Sequence, residues 1–248
     1  MERLDEEPNF DPSNKGYMRL TWWKLLTIAL LLYAVIGGFL MPVPALSQLG
    51  ETIRNLYFHV CMWFAMMILF TISIIHSIKY LNNKSVIHDI KASAYAAVGS
   101  YMGILGYLTG AIWASYTWAD PNNPAYASLG SIMREPKLIG AALALLVYGA
   151  YFILRSSITD IDQRARVSAV YNVFAYAMLF PTIWIIPRLL PSLHPGQEGN
   201  PALNFNDIDA RMRLVFYPAV IGWTLLGSWI AQLNVRLELI KEKKISNV

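Results

Sequence analysis

Residues 56–78 read LYFHVCMWFAMMILFTISIIHSI, a run without a single Asp, Glu, Lys or Arg. An α-helix rises 1.5 Å per residue and needs about 20 apolar residues to cross the hydrocarbon core of a bilayer. The run exceeds this length, so it can span a membrane as one helix. His59 lies near its start and His76 near its end, roughly 25 Å apart along such a helix. These two histidines therefore cannot bind the same ligand.

The rest of the chain shares this apolar character. Of its 248 residues, 56% are hydrophobic and 15% are charged, and the mean hydropathy is +0.40. A soluble domain carries about 25% charged residues, so the composition predicts an all-α integral membrane protein. We expect one membrane domain over residues 1–248 with six transmembrane helices. The predicted spans are 25–45, 56–78, 92–118, 138–154, 169–187 and 214–235.

Lysine and arginine are unevenly divided between the two sides of this arrangement. Fourteen fall in the termini and in the loops after the second and fourth spans, and six fall in the other loops. Because basic residues favour the cytoplasmic side, we expect both termini in the cytoplasm and the protein in the cell inner (cytoplasmic) membrane. The acidic stretch before the first span favours a retained anchor over a cleaved signal peptide. His59 and His194 then lie on the outer side, which is periplasmic in a diderm bacterium.

These two outer histidines are the strongest candidates for a functional site. His59 opens the second span beside aromatic side chains, and His194 lies in the Pro- and Gly-rich loop 188–213. Two neutral imidazoles can bind one metal centre, and such a pair suits haem iron. A polar interface role for His59 and a solvated loop position for His194 are the alternatives. His76 and His88 fall on the inner side, where we expect ordinary interface or loop roles.

The outer loop 119–137 offers a second group of candidates. Trp113 and Trp118 stand at its entrance, where tryptophans are expected on any membrane protein. As part of a site, their indoles could stack on a planar macrocycle. Outer basic residues could pair with the propionates of such a ligand, although snorkelling to the interface explains them equally well. These residues are Arg54, Arg134, Lys137, Arg188, Arg211 and Arg213.

Other features of the sequence indicate packing or exclude chemistry. The glycines at 99, 103, 106 and 110 share one face of the third span and predict close helix packing. The chain has no Gly-rich phosphate loop, no G-x-S-x-G and no H-E-x-x-H, and no basic-aromatic surface for nucleic acid. No C-x-x-C-H occurs, so covalent haem attachment is excluded. The absence of acids within the spans argues against a proton-coupled transporter.

With these residues the chain resembles the haem-handling membrane proteins of cytochrome c maturation, the haem exporter protein C (CcmC/CcsA) family. The resemblance rests on the six spans, on Tyr57-Phe58-His59-Val60 and on His194 in the last outer loop. It also rests on Thr109-Gly110-Ala111-Ile112-Trp113-Ala114 and on the run from Glu135 to Leu146. Together these features cover most of the chain.

One family motif is altered in this chain. Family members carry a tryptophan-rich outer motif of the kind W-G-x-W-W-x-W-D. Here Thr117-Trp118-Ala119 resembles its beginning and Arg134-Glu135-Pro136-Lys137-Leu138 resembles its end. Glu135 stands where the Asp would be, and no tryptophan lies between residues 120 and 133.

The resemblance implies haem handling rather than enzymatic catalysis. His59 and His194 would be axial ligands of a non-covalent, transiently bound b-type haem. Trp113, Trp118 and Glu135 would contact the macrocycle. The implied partners are a CcmE-like haem chaperone and the ABC-transporter subunits of the maturation complex. The alternative is a b-type haem membrane anchor subunit of a respiratory oxidoreductase, which holds haem between histidines on facing helices.

Overall fold

The computed structural model describes residues 21–46, 49–120, 122–123, 128–185, 189–190 and 208–246. Within these residues there is no strand, and long helices form the fold, as the all-α prediction requires. They are α1 (Trp22–Leu40), α2 (Leu56–Asn83), α3 (Val86–Thr117), α4 (Pro136–Ser157), α5 (Ile161–Leu179) and α6 (Ala210–Ser246). A 3-10 turn, Gly50–Asn55, precedes α2, and a short helix, Leu129–Ile132, precedes α4.

The long helices give the chain the character of a multi-pass membrane protein. Five helical segments in the described residues are long and apolar enough to cross a bilayer: Trp22–Leu40, Gly50–Asn83, Pro136–Ser157, Ile161–Ile185 and Ala210–Glu242. Helix α3 is not among them, although its 32 residues reach about 48 Å. Its glycine, serine, threonine and tyrosine residues make it less apolar. The sixth crossing and the cytoplasmic position of both termini therefore stay predictions.

A proline fixes the end of the first helix. Helix α1 ends at Leu40, earlier than the predicted span 25–45. Met41 precedes Pro42 and adopts an extended backbone with ψ 145°. The ring of a proline disfavours the helical conformation in the residue before it, so the helix stops there.

Prolines also mark the beginning of α4 and the end of α5. Pro136 occupies the first turn of α4, where its missing N–H costs nothing. Pro181 lies in a π-helical segment, Phe180–Ile185, that continues α5. A proline lacks the N–H for a helical hydrogen bond, and the wider π turn accommodates this gap.

Helix α2 lies at the centre of the bundle. It packs against α3, α5 and α6, while α1 packs against α6 and α4 packs against α5 and α3. Met66, Leu69 and Phe70 of α2 are fully buried in the largest core cluster. Phe70 stacks on Tyr148 of α4 with parallel rings whose centroids are 3.6 Å apart. The middle of the bundle is thus filled with apolar side chains.

Charged and polar pairs lie near the opposite end of α2 from His59. Asp89 accepts two hydrogen bonds from Arg155, at 2.7 and 2.6 Å, and both side chains are largely buried. His76 and His88 face each other, with their Nδ1 atoms 2.9 Å apart. These histidines therefore satisfy part of each other's hydrogen-bonding capacity across the α2–α3 interface.

Candidate functional site

His59 is held in one orientation by the backbone of α3. The residue lies in the first turn of α2 and is only 8% exposed. Its Nδ1 atom is 2.8 Å from the carbonyl oxygen of Gly106 and 3.3 Å from Oγ1 of Thr109. A carbonyl oxygen can only accept, so Nδ1 carries the proton. In the neutral imidazole the lone pair is then on Nε2, which is the arrangement typical of metal-binding histidines.

Two glycines of α3 form the seat for this imidazole. A Cβ atom on Gly110 would collide with Cε1 of His59 and would lie 3.0 Å from its Nδ1. A Cβ atom on Gly106 would lie 3.1 Å from the ring of Trp63. The half of the glycine face formed by Gly106 and Gly110 therefore admits the histidine, whereas the sequence predicts a packing role alone for the whole face. Packing does explain the other half, since Cβ atoms at residues 99 and 103 would approach side chains of α2 to 2.7 Å.

The positions of residues along the hairpin formed by α2 and α3 indicate which glycine lies beside His59. The turn between the helices is centred on Lys84 and Ser85. His59 lies as far before Lys84 in the sequence as Gly110 lies after Ser85. In a tight antiparallel helical pair, residues at equal distances from the turn lie at the same depth. Counting outward from the turn thus places Gly110 beside His59.

Two tryptophans complete the surroundings of His59. The rings of Trp63 and Trp113 meet the imidazole edge-on, with centroid distances of 6.3 and 5.9 Å. The indole Nε1 of Trp113 donates a hydrogen bond to Oγ1 of Thr52 at 3.1 Å. Trp113, a residue named from sequence, is therefore brought next to His59 and tied to the 3-10 turn. The sequence did not predict this contact of Thr52.

An open groove of about 600 Å³ adjoins this site. Thr109 and Trp113 belong both to the groove wall and to the surroundings of His59, so they separate the two spaces. The groove lies between the end of α1, the 3-10 turn and the facing ends of α2 and α3. Its lining residues are Phe39, Glu51, Thr52, Arg54, Asn55, Phe58, Thr109, Ile112, Trp113 and Tyr116.

Arg54 lines the groove and caps helix α1. Its Nη1 donates hydrogen bonds of 2.7 Å to the carbonyl oxygens of Gly38 and Met41, and its Nε donates to the carboxylate of Glu51. Helix ends leave their last carbonyl groups unpaired, so these bonds stabilise the end of α1. Nη2 makes no hydrogen bond to any residue that the structure describes. Of the outer basic residues considered from sequence, Arg54 thus faces a cavity.

Trp118 and Glu135 occupy structural positions at the ends of α3 and α4. Trp118 follows the last residue of α3 and packs against a small cluster that includes Ile132 and Leu138. Glu135 is only 3% exposed and caps α4, its Oε2 accepting from the backbone N–H groups of Lys137 and Leu138 at 2.7 and 3.3 Å. Capping by a carboxylate explains an acidic residue here. Contact of either residue with a macrocycle stays a prediction.

The second histidine named from sequence, His194, lies outside the described residues, as does Arg188. Its pairing with His59 stays a prediction. The loop 188–213 enters the described region again just before α6. There Asp209 accepts hydrogen bonds from the side chain and the backbone N–H of Arg211 at 3.3 and 2.9 Å. The side-chain hydrogen bond from Arg211 is the largest influence that lowers the pKa of Asp209.

Comparisons with known proteins agree with the resemblance noted in the sequence. The family model of CcmC, Heme exporter protein C, matches residues 14–248. Heme exporter protein C of Rhodobacter capsulatus is 25% identical over 170 residues, which is 65% of each chain and thus slightly less than two thirds of that relative. Heme exporter protein C of Paracoccus denitrificans is 22% identical over 233 residues, covering 90% of this chain and 88% of that one. Because the family model spans nearly all of its length, this chain belongs to the Heme exporter protein C family.

Proposed function

We propose that this chain handles haem during cytochrome c maturation, holding it at the outer face of the membrane and passing it to a haem chaperone. One observation carries the proposal. The backbone of α3 fixes the Nδ1–H tautomer of a buried histidine at one end of the bundle. Family membership supplies the cargo, because the relatives are named as haem exporters. The function is transfer of haem rather than enzymatic bond chemistry.

The residues present suit haem as a cargo. A neutral imidazole binds haem iron, and a hydrogen bond at its other nitrogen orients the ring and raises its basicity. His59 is the first axial ligand in this proposal, and His194 from loop 188–213 is the second. Binding is non-covalent, since the chain has no C-x-x-C-H. In this proposal the haem is of the b type and is bound transiently, so that a partner protein can remove it.

Three residues near His59 are proposed contacts of the macrocycle, and they differ in how directly their position supports that role. Trp113 is supported by its edge-on contact with His59. Trp118 lies five residues further along the chain, roughly 8 Å further along the axis. Glu135 belongs to the cap of α4. In this proposal Trp118 and Glu135 border the haem edge from the start of loop 119–137 and from its end.

The proposed setting is the cell inner membrane, with the haem site on the periplasmic side. The excess of Lys and Arg on the other side supports this orientation. A CcmE-like haem chaperone would collect the haem at the outer face. ABC-transporter subunits of the maturation complex would be its neighbours within the membrane. Family membership supports these proposed partners.

The alternative of a b-type haem anchor of a respiratory oxidoreductase gains no support from the described residues. Such an anchor holds haem between histidines on facing helices. His59 faces glycines of α3, and His76, the other histidine of α2, is roughly 25 Å away along the axis. His76 also pairs with His88. A second ligand for His59 must therefore come from outside the described helices.

Haem titration of the purified full-length protein in nanodiscs tests the proposal. We expect a low-spin, six-coordinate haem spectrum that is lost in both His59→Ala and His194→Ala. His76→Ala is the matched control, since it removes a histidine from the same helix at the other end, and we expect it to keep the spectrum. A wild-type spectrum in His59→Ala would overturn the assignment. A redox-active haem that co-purifies with catalytic subunits would favour the anchor instead.

A further inference from the structure

The groove beside His59 opens toward the outside of the helix bundle. Three of its apolar side chains are among the most exposed in the described residues: Phe39 at 62%, Ile112 at 69% and Tyr116 at 77%. In the proposed membrane setting these exposed apolar side chains face lipid, which gives the groove a sideways entrance from the bilayer. Its volume of about 600 Å³ lies within the range of small-molecule sites, roughly 300–1,000 Å³. Four of its ten lining residues are aromatic, and such rings suit a flat, apolar ligand.

The groove also has one polar end with an available cation. Arg54 uses Nε and Nη1 for its three hydrogen bonds, which leaves the donors of Nη2 without a partner among the described residues. A guanidinium nitrogen with two N–H groups suits a carboxylate. Glu51 lies on the same rim and is exposed to solvent, so it repels an anionic ligand while it pairs with Arg54. Neutralising Glu51 should therefore favour an anionic ligand at the rim, and neutralising Arg54 should disfavour it.

The side chains of Thr109 and Trp113 lie between the groove and the histidine seat. Trp113 lines the groove on one side and meets His59 edge-on on the other. Its indole is tethered by one hydrogen bond, 3.1 Å long, to Thr52. One neutral hydrogen bond contributes only about 1 kcal/mol. The two spaces are thus adjacent, and the Trp113 ring is a movable part of the wall between them.

We infer that this groove is a loading site for haem, entered from the outer leaflet and distinct from the seat at His59. The identity of the ligand rests on the proposed function. The macrocycle lies against the aromatic walls, and a propionate pairs with Arg54 at the rim. Displacement of the Trp113 ring then opens the way to Nε2 of His59. The haem thus reaches the histidine without crossing the apolar interior of the bundle.

Metal-free protoporphyrin IX is the probe that isolates the groove. It has the apolar ring and the propionates of haem but no iron, so it cannot be held by axial histidines. Binding to the full chain in nanodiscs is measured by porphyrin fluorescence, with empty nanodiscs subtracted. We expect His76→Ala, at the opposite end of α2, to leave this binding unchanged. Tyr116→Ala should weaken it about fivefold, the typical effect of one lost aromatic contact. Tyr101→Ala is the matched control, an exposed tyrosine of α3 outside the groove.

Two substitutions at the rim test the contact with the propionate, because they should change the porphyrin affinity in opposite directions. Glu51→Gln should tighten binding several-fold, while Arg54→Gln should weaken it about tenfold, as expected for a lost charge-assisted hydrogen bond. Arg54→Gln also removes the cap of α1, so the Glu51 and Tyr116 variants carry the test if that protein misfolds. The dimethyl ester of protoporphyrin, which lacks the carboxylates, should bind at least tenfold more weakly.

Two results would overturn the loading site. Equal affinities of Tyr116→Ala and Tyr101→Ala would show that the porphyrin does not occupy the groove. Equal binding of the ester, together with no effect of Glu51→Gln, would show a purely apolar site that fits a lipid chain. Neither result affects the low-spin haem spectrum that depends on His59, so the proposed function is tested separately. Loss of that dependence with intact porphyrin binding would remove the proposed function and leave a porphyrin site unrelated to it.

Discussion

Replacing Gly110 with alanine should disable haem binding while leaving the bundle folded. The added Cβ would collide with Cε1 of His59 and would lie 3.0 and 3.3 Å from its two nitrogens. The imidazole must then swing away from α3. That movement breaks the 2.8 Å hydrogen bond from Nδ1 to the carbonyl oxygen of Gly106. The tautomer and the direction of Nε2 are no longer fixed.

The magnitudes separate stability from binding. Overpacking costs about 1–3 kcal/mol, and the lost hydrogen bond costs about 1 kcal/mol. Alanine regains roughly 1 kcal/mol because it is a better helix former than glycine. The net loss of stability is therefore about 1–3 kcal/mol. Loss of the partner that orients a metal-binding histidine typically costs about 10–100-fold in affinity, which is the larger and more specific effect.

Two other glycines serve as controls for this change. A Cβ on Gly149 of α4 has no heavy atom within 4 Å, so Gly149→Ala should be neutral or slightly stabilising. A Cβ on Gly99 would lie 2.7 Å from Phe70, so Gly99→Ala produces comparable overpacking away from His59. Haem affinity from Soret titrations and the thermal unfolding midpoint are measured for all three. Wild-type affinity in Gly110→Ala, or an equal loss in Gly99→Ala, would refute the reasoning.

Three further predictions concern the neighbouring contacts. Thr52→Val should lower haem affinity about fivefold in Soret titrations, because Trp113 loses its hydrogen-bond acceptor, and Thr52→Ser should restore it. Glu135→Ala should destabilise α4 by about 1 kcal/mol in unfolding experiments through loss of the cap, and an unchanged stability would contradict this role. Asp89→Ala should cost about 3–5 kcal/mol by removing the carboxylate that pairs with the largely buried guanidinium of Arg155. The double replacement of both residues by alanine should recover much of that loss.

The sequence predicts the helical architecture well because the bilayer imposes one simple rule. Runs without charge must become helices that satisfy their own backbone groups. The rule concerns only the length of the apolar run, so the helix ends that it predicts differ from the observed ends. Helix α6 continues through charged residues to Ser246, since a helix need not end where the lipid does. Helix α3 begins at Val86, before the predicted span 92–118, and its first turns carry the buried Asp89.

The candidate site could be predicted in part. His59 and Trp113 stand out by residue type and by their position near a predicted interface. The glycine spacing alone indicates packing at Gly106 and Gly110, although the count from the turn pairs Gly110 with His59. Thr52 could not be found in this way, because it lies in a polar 3-10 turn whose contact with α3 depends on how that turn folds back onto the bundle.

The filling of the bundle limits the routes by which haem can reach His59. Along α2, the residues between His59 and His76 include Met66, Leu69 and Phe70, all with no exposed surface. These side chains pack against neighbouring helices in the largest core cluster. A macrocycle crossing this region would have to displace them together, at about 2–5 kcal/mol for each lost large side chain. A route through the interior is therefore far more costly than the groove, where only Thr109 and Trp113 intervene. Haem cargo should thus enter from the lipid or from the outer surface.

Bulky replacements at Gly103, such as Gly103→Leu, should destabilise the protein without any selective loss of haem loading.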